Sequence, residues 1–345
     1  MITLGPRALK TGVAVTIALY ICYYFGLEPA VFSGIAAAVS LQPSIYRTWK
    51  QMLDQLMTNT LGAIIALFAV SFLGDNPVII GVVLIIVILI SLKLKMESNI
   101  ISLTLVTVLA IMSAPGNEDW LFTLNRFVII MIGIFSAFLI NVLLFPPKFK
   151  QSYYKKVQGA FQTLSLLLRT AISNELTEKT FKENWEILKK DIEKLEELYR
   201  IFDEEREKMS KINPLDVRQI VVFKQMLRTI KQGEGVLELI DEHYFQSKTK
   251  VEENKLFDQY LEHLIKCHEY YFLKYEGKVK IEDSDTISIN EEELKLFFEQ
   301  LLINYKEDPD HKMRIITVGV SVIEYAFQLQ RFNKVLDGYI KKATD

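Results

Sequence analysis

The sequence predicts an all-α fold in two parts: a polytopic membrane domain of six transmembrane helices over 1–147, then a cytoplasmic α-helical bundle over 148–345. Three observations predict it. Of 40 Lys/Arg and 42 Asp/Glu, the first 147 residues hold only seven and six, leaving 33 and 36 for the rest. That first part contains nearly charge-free stretches of membrane-spanning length, for which roughly 20 apolar residues suffice. The second part repeats apolar residues at the alternating three- and four-residue spacing of amphipathic helices.

The first apolar run follows Arg7 and Lys10 and has the look of a secretory signal core. No small-residue cleavage site follows it before Glu28, so a mature helix is expected. Between Thr11 and Tyr46 the single charge is Glu28, inside GLEP, where glycine and proline favour a turn. This segment reads as a hairpin of two short spans. Charge-free stretches from Gln55 to Gly74, Asn76 to Leu92, Ser98 to Asn117 and Phe127 to Pro147 supply four more.

Orientation follows from the cations. Arg7 and Lys10 precede span one, Arg47 and Lys50 follow span two, Lys93 and Lys95 follow span four, and Lys148, Lys150, Lys155 and Lys156 follow span six. The alternate turns, GLEP, GDNP and APGNEDW, contain no Lys or Arg. Positive charge is retained on the cytoplasmic side, so both termini are expected there, in a multi-pass protein of the plasma membrane. Trp49 and Trp120 suit the inner and outer interfacial belts. Residues 42–54 then read as an inner turn.

From Lys148 onward, Phe181, Trp185, Leu188, Ile192, Leu195, Tyr199 and Phe202 form one stripe, and Phe257, Leu261, Leu264, His268, Tyr271 and Tyr275 another. Two such helices are expected to pack together. INPLD, SKTK, the stretch Glu276 to Ile289, and EDPDH read as connections, giving five to six helices. Asn290 with Glu293 three residues on fits a capping box. The apolar ITVGVSVI in the last helix is too short to cross a bilayer.

A formal net charge of -2 and two cysteines argue against a basic nucleic-acid binder and a disulfide scaffold. No Walker loop, GxGxxG, HExxH or GxSxG occurs, so no enzyme, catalytic residue or cofactor is expected. His263 and Cys267, four apart on a helix, share a face, but no further ligand is evident and no metal site is expected. The KFKQSYYKK cluster after span six is suited to anionic lipid headgroups through its lysines and tyrosines.

Among candidate site residues Arg126 stands out, just inside span six beside Asn125. An ionised group at that depth faces a water-filled cavity, snorkels to the headgroups or pairs with an acid. SGIAAAVS around Gly34, together with Gly62, Gly81 and Gly133, marks close helix crossings. Thr58, Asn59 and Thr60 open span three with polar atoms suited to satisfying neighbouring helices or contacting substrate. Tyr20, Tyr23, Tyr24 and Tyr46 suit an aromatic substrate or the lipid belt.

The stretches GPRALKTGVAV, EPAVFSGIAAAVSLQPSIYRTWKQMLDQLMTNTLGAIIA, LKLKME and INVLLFPP resemble the bacterial aromatic acid exporter family, related to the fusaric-acid-resistance group; the likeness covers about residues 1–147. The resemblance implies export of organic anions, chiefly aromatic carboxylates. Larger members carry two membrane blocks, so this chain is expected to pair as a homodimer. Plant aluminium-activated malate transporters are more distantly similar six-span dimers whose anion path is lined by basic residues. The match falls on Gln42, Pro43, Tyr46, Arg47, Asp54, Thr58 and Gly62. The family usually has a basic residue near the start of span three, where this chain reads DQLMT. Arg47 and Lys50 are then the nearest inner cations, and with Gln42 and Tyr46 they form the expected vestibule, with Arg126 nearer the outer side. A competing reading is a membrane-anchored helical sensor or scaffold that recruits a cytoplasmic partner without transport.

Overall fold

The protein divides into two compact units, 1–147 and 148–345. A computed structural model describes residues 6–42, 44–113, 120–144, 149–173, 177–209, 217–244, 251–279 and 288–344. Among these there are helices and no strands. The INPLD and SKTK connections, and most of the stretch Glu276 to Ile289, fall outside the described residues.

The first unit contains α1 (Pro6–Tyr24), α2 (Val31–Ser40), α3 (Ile45–Leu73), α4 (Pro77–Lys93), α5 (Ser98–Met112) and α6 (Trp120–Leu139), the last running into a π-helical turn, Ile140–Leu144. Helices therefore stand at all six expected places, but their lengths differ from the expectation. Two, over Tyr46–Leu73 and Leu124–Val142, are long and apolar enough to cross a membrane. The others are shorter, and α2, at 10 residues, reaches only about 15 Å, half the hydrocarbon core. Six complete crossings are thus not established by helix length.

A second difference concerns residues 42–54. The sequence reading made them a turn because they carry charge, yet α3 already begins at Ile45, capped by Ser44, whose side chain accepts from the Arg47 N–H at 3.4 Å. Only Leu41–Ser44 connects α2 to α3. Asn76 likewise caps α4, with Pro77 at its first position, where the missing N–H costs nothing.

α6 is the central helix, packing against α1, α2 and α3, while α3 packs along α5. Gly133 explains how closely α2 approaches α6. A methyl group there would lie 2.1 Å from the Ser33 carbonyl oxygen. Gly62 does the same for α3 and α5, where a methyl would meet Thr104 Cγ2 at 2.8 Å, and Gly34 lets α2 approach Val15 of α1, whereas Gly81, expected to mark a crossing too, has nothing within 4 Å of an added methyl.

The second unit comprises α7 (Phe149–Ser173), α8 (Glu178–Met209), α9 (Val217–Leu239, ending in a π turn at Ile240–Tyr244), α10 (Val251–Tyr275), α11 (Glu291–Glu307) and α12 (Pro309–Thr344). Both apolar stripes point into one core. They do not lie side by side, however: α8 packs on α7 and α9, and α10 on α7 and α12. α7 packs against both of them. Tyr153, expected to meet headgroups, is wholly buried, and its hydroxyl donates to the Phe223 carbonyl at 3.1 Å. Lys150, Lys155 and Lys156 of the same cluster stay exposed, and Lys148 lies outside the described residues. His268 is also buried, its Nδ1 2.7 Å from the Tyr325 hydroxyl, and desolvation pushes its pKa down to about 3.

Candidate functional site

The buried face of α3 is polar over its first four turns. Thr48, Gln51, Gln55, Thr58 and Gly62 follow one another at spacings of three and four, and Asn59 lies beside Thr58. All five polar side chains are at most 3% exposed. They extend over about 16 Å of helix. Arg47, Lys50 and Asp54 form an interleaved set with the same spacing on other faces. The two sets together give the linear sequence its look of a charged turn.

Asn141, in the π turn that ends α6, ties the stripe to three other segments. Its Nδ2 donates to Thr48 Oγ1 at 2.8 Å and to the Gln42 carbonyl at 3.1 Å, while its Oδ1 accepts from Lys10 Nζ of α1 at 3.2 Å. A π turn breaks the regular helical bonding pattern and recurs at functional sites. Gln42 Nε2 donates to Gln51 Oε1, and Gln51 Nε2 donates to the Val39 carbonyl at 3.0 Å. That carbonyl belongs to the last turn of α2, which has no helical partner of its own.

Deeper along α3, Gln55 is bonded to Ser40 of α2 at 2.9 Å, and Asn59 to Thr107 of α5 at 3.2 Å. Each amide keeps its nitrogen buried with no hydrogen-bond partner among the described residues. A buried donor left unmade costs about 1–3 kcal/mol, so the two amides are held there at some expense of stability.

Arg126 lies in the second turn of α6. It is 9% exposed, and its guanidinium stands 4.0 Å over the Phe32 ring of α2, so the side chain turns into the unit rather than out to solvent. Asn125 donates from Nδ2 to the Glu28 carbonyl at 3.3 Å. Fifteen residues of helix separate Arg126 from Asn141, about 22 Å. Gln42 and the Arg47 region therefore gather at one end of the unit and Arg126 at the other. Lys50 is exposed, Tyr46 and Arg47 half-buried, and the Thr58 hydroxyl donates to its own helix at the Asp54 carbonyl.

Sequence reasoning missed Lys10, Thr48, Gln51, Gln55 and Asn141 as site residues. The three-and-four spacing of the polar residues from Thr48 to Thr58 carried the signal. Nothing in the sequence announces that Asn141 meets Lys10. Between α1, α3 and α6 there is also an apolar hollow of about 720 Å³, lined by Ile21, Met52, Phe127, Met131 and Phe135, with Ser136 as its polar residue. Tyr20, Tyr23 and Tyr24 instead stand exposed. The Trp120 side chain lies outside the described residues. His263 and Cys267 approach to 3.5 Å, and no group of three ligands able to hold a metal occurs among the described residues.

In the first unit, largely apolar helices thus enclose a polar stripe at one end and a buried cation at the other. The chain belongs to the aromatic acid exporter family. The family model described as aromatic acid exporter family member 1 matches residues 2–144. The UPF0421 protein YgaE of Bacillus subtilis (strain 168) is 30% identical over 342 residues, 97% of this chain and 96% of its own length. A UPF0421 protein of Halalkalibacterium halodurans is 32% identical over 168 residues, covering 48% of this chain and 46% of its own, and one of Oceanobacillus iheyensis 27% identical over 161 residues, 47% and 46%. These last two matches span about half of each protein.

Proposed function

We propose that the protein exports organic anions, chiefly aromatic carboxylates, across the plasma membrane, working as a homodimer with both termini in the cytoplasm. The observation that carries this reading is the polar stripe of α3, which opens beside Lys10, Arg47 and Lys50 at one end of an otherwise apolar unit whose other end holds Arg126.

The inner cations raise the local concentration of carboxylate at the mouth. Beyond them the lining is neutral: hydroxyls and amides from Thr48 to Asn59 replace water around the carboxylate without a full positive charge. A row of fixed cations along the low-dielectric stretch would trap the anion, whereas neutral donors let it move on from the cations at one end toward the one at the other. Arg126 then draws the anion toward the outer side. The apolar hollow beside α6 offers room for an aromatic ring. Short α2, followed by buried Leu41 and Ser44, fits this picture, since irregular backbone at membrane depth is tolerated where it is enclosed by protein or lines a path.

Flux through reconstituted protein tests the assignment. Arg126→Gln and Lys10→Met each lower carboxylate flux roughly tenfold or more while leaving the protein folded, and Arg126→Lys retains part of it. Unchanged flux in both neutral variants would remove the two cations from the path.

A further inference from the structure

The last two helices of the second unit leave more apolar surface uncovered than the rest of that unit. The buried residues of α11 are Phe297 and Leu301, yet it exposes four large apolar side chains, Leu296, Phe298, Leu302 and Ile303. α12 adds Met313, Val320 and Phe327, one every seventh residue and therefore on one face. All seven are 37–60% exposed, and they make up seven of the twelve such side chains among the described residues of this unit. The other five are spread over α7, α8, α9 and α10. Scattered apolar residues are ordinary on a surface, but a cluster that leaves on the order of 500 Å² of apolar side chain uncovered marks an interaction site.

Charge identifies the partner. α11 carries five glutamates against Lys295 and Lys306. Asn290 caps it by accepting from the Glu292 N–H at 3.0 Å, and Glu293, expected in a capping box, reaches instead to His263 of α10 at 3.2 Å. The second half of α12 has the opposite sign: Arg331, Lys334, Lys341 and Lys342 stand against Asp337, which is paired with Lys274 of α10 at 2.6 Å. An acidic α11 repels the anionic headgroups of a membrane surface. A second copy of this chain offers both the complementary charge and a matching apolar face.

We propose that α11 and α12 form a two-fold interface between two copies of this chain, in which the α12 helices cross antiparallel at Phe327 and each acidic α11 lies beside the basic half of its partner's α12. The proposal rests on the homodimer reading above and locates where the copies meet. Leu301 fits against Gly319, so α11 runs beside the first half of its own α12 and the basic second half continues past it. Phe327 is close to the midpoint of the 36-residue α12. A two-fold axis there brings Phe327 onto its own copy and sets Glu299 level with the partner's Lys334. A strip about 10 Å wide along α12 and α11, about 54 and 25 Å long, is roughly 800 Å² per chain, the size of a standard stable interface.

Cysteine cross-linking of the full chain in detergent tests this, because Cys22 and Cys267 are 0% exposed and stay silent. Phe327→Cys is expected to link to its own copy through a short bismaleimide. Met313→Cys is not, since its two copies lie about 40 Å apart along the paired helices. Adding Glu299→Lys to Phe327→Cys slows linking about tenfold, and adding Lys334→Glu as well restores it, a rescue that damage to the fold does not give. Light scattering reads the oligomeric state of the parent chain. A dimer in which Phe327→Cys links no faster than Met313→Cys, or in which Glu299→Lys leaves the rate unchanged, would overturn this interface and leave the homodimer intact. A monomer would remove both.

Discussion

Asn141 Nδ2 donates to Thr48 Oγ1 across 2.8 Å, joining the end of α6 to the first turns of α3. With the bonds to Lys10 and the Gln42 carbonyl, this one amide holds four segments of the first unit together. Asn141→Ala removes three hydrogen bonds from a buried position and leaves the Gln42 carbonyl and Lys10 without it. A loss of about 2 kcal/mol is expected, read as a lower melting temperature in detergent.

The α2–α6 crossing makes a sharper prediction. Gly133→Ala places a methyl 2.1 Å from a backbone carbonyl, an atom that cannot rotate away, so the helices must separate. The expected cost is about 3 kcal/mol or more. Gly81→Ala is the control, since nothing lies within 4 Å of its added methyl. It should stay within about 0.5 kcal/mol of the parent. Equal melting temperatures for the two variants would show that the crossing is looser than described.

Acid should weaken the helical unit through His268. Burial lowers the pKa of the folded-state imidazole from 6.5 to about 3. Between those values the unfolded chain holds a proton that the folded chain does not, so stability is complete above about pH 6.5. It falls by about 1.4 kcal/mol for each unit below that, toward pH 3. Melts at pH 4.5, 5.5 and 7.5 measure the slope, and His268→Phe should flatten it, although Tyr325 then loses its partner.

Cys267 offers a chemical check on the same unit. Burial, with a smaller contribution from Glu293, pushes its thiol pKa up to about 12, and it is 0% exposed. Alkylation at pH 8 should therefore be slow in folded protein and fast in denaturant, because only the thiolate reacts. Rapid labelling of the native protein would mean that α10 opens readily.

Much of this architecture was legible because it rests on periodicity and charge. The stripe from Phe181 to Phe202 and that from Phe257 to Tyr271 are core faces, as their spacing implied, and Gly133 stands where backbones meet. The start of α3 was misread for a physical reason. Arg47, Lys50 and Asp54 share their turns with buried Gln51 and Gln55, and composition averages the faces of a helix where only phase separates them. The partnership of Lys10 with Asn141 joins residues 131 apart in sequence, and no local pattern records it. Burial of Tyr153 was hidden similarly, since its neighbours are lysines and its partner Phe223 lies two helices away.

The central claim is carriage of aromatic carboxylates, and release from liposomes tests it most directly. Vesicles containing the full chain are loaded with a mixture of aromatic and aliphatic carboxylates, and their release is followed with and without imposed pH and voltage gradients. The account predicts release biased toward the aromatic anions, altered by a gradient, and reduced by Arg126→Gln. Absence of release from protein shown to be folded and inserted, or release blind to both charge and ring, would contradict it.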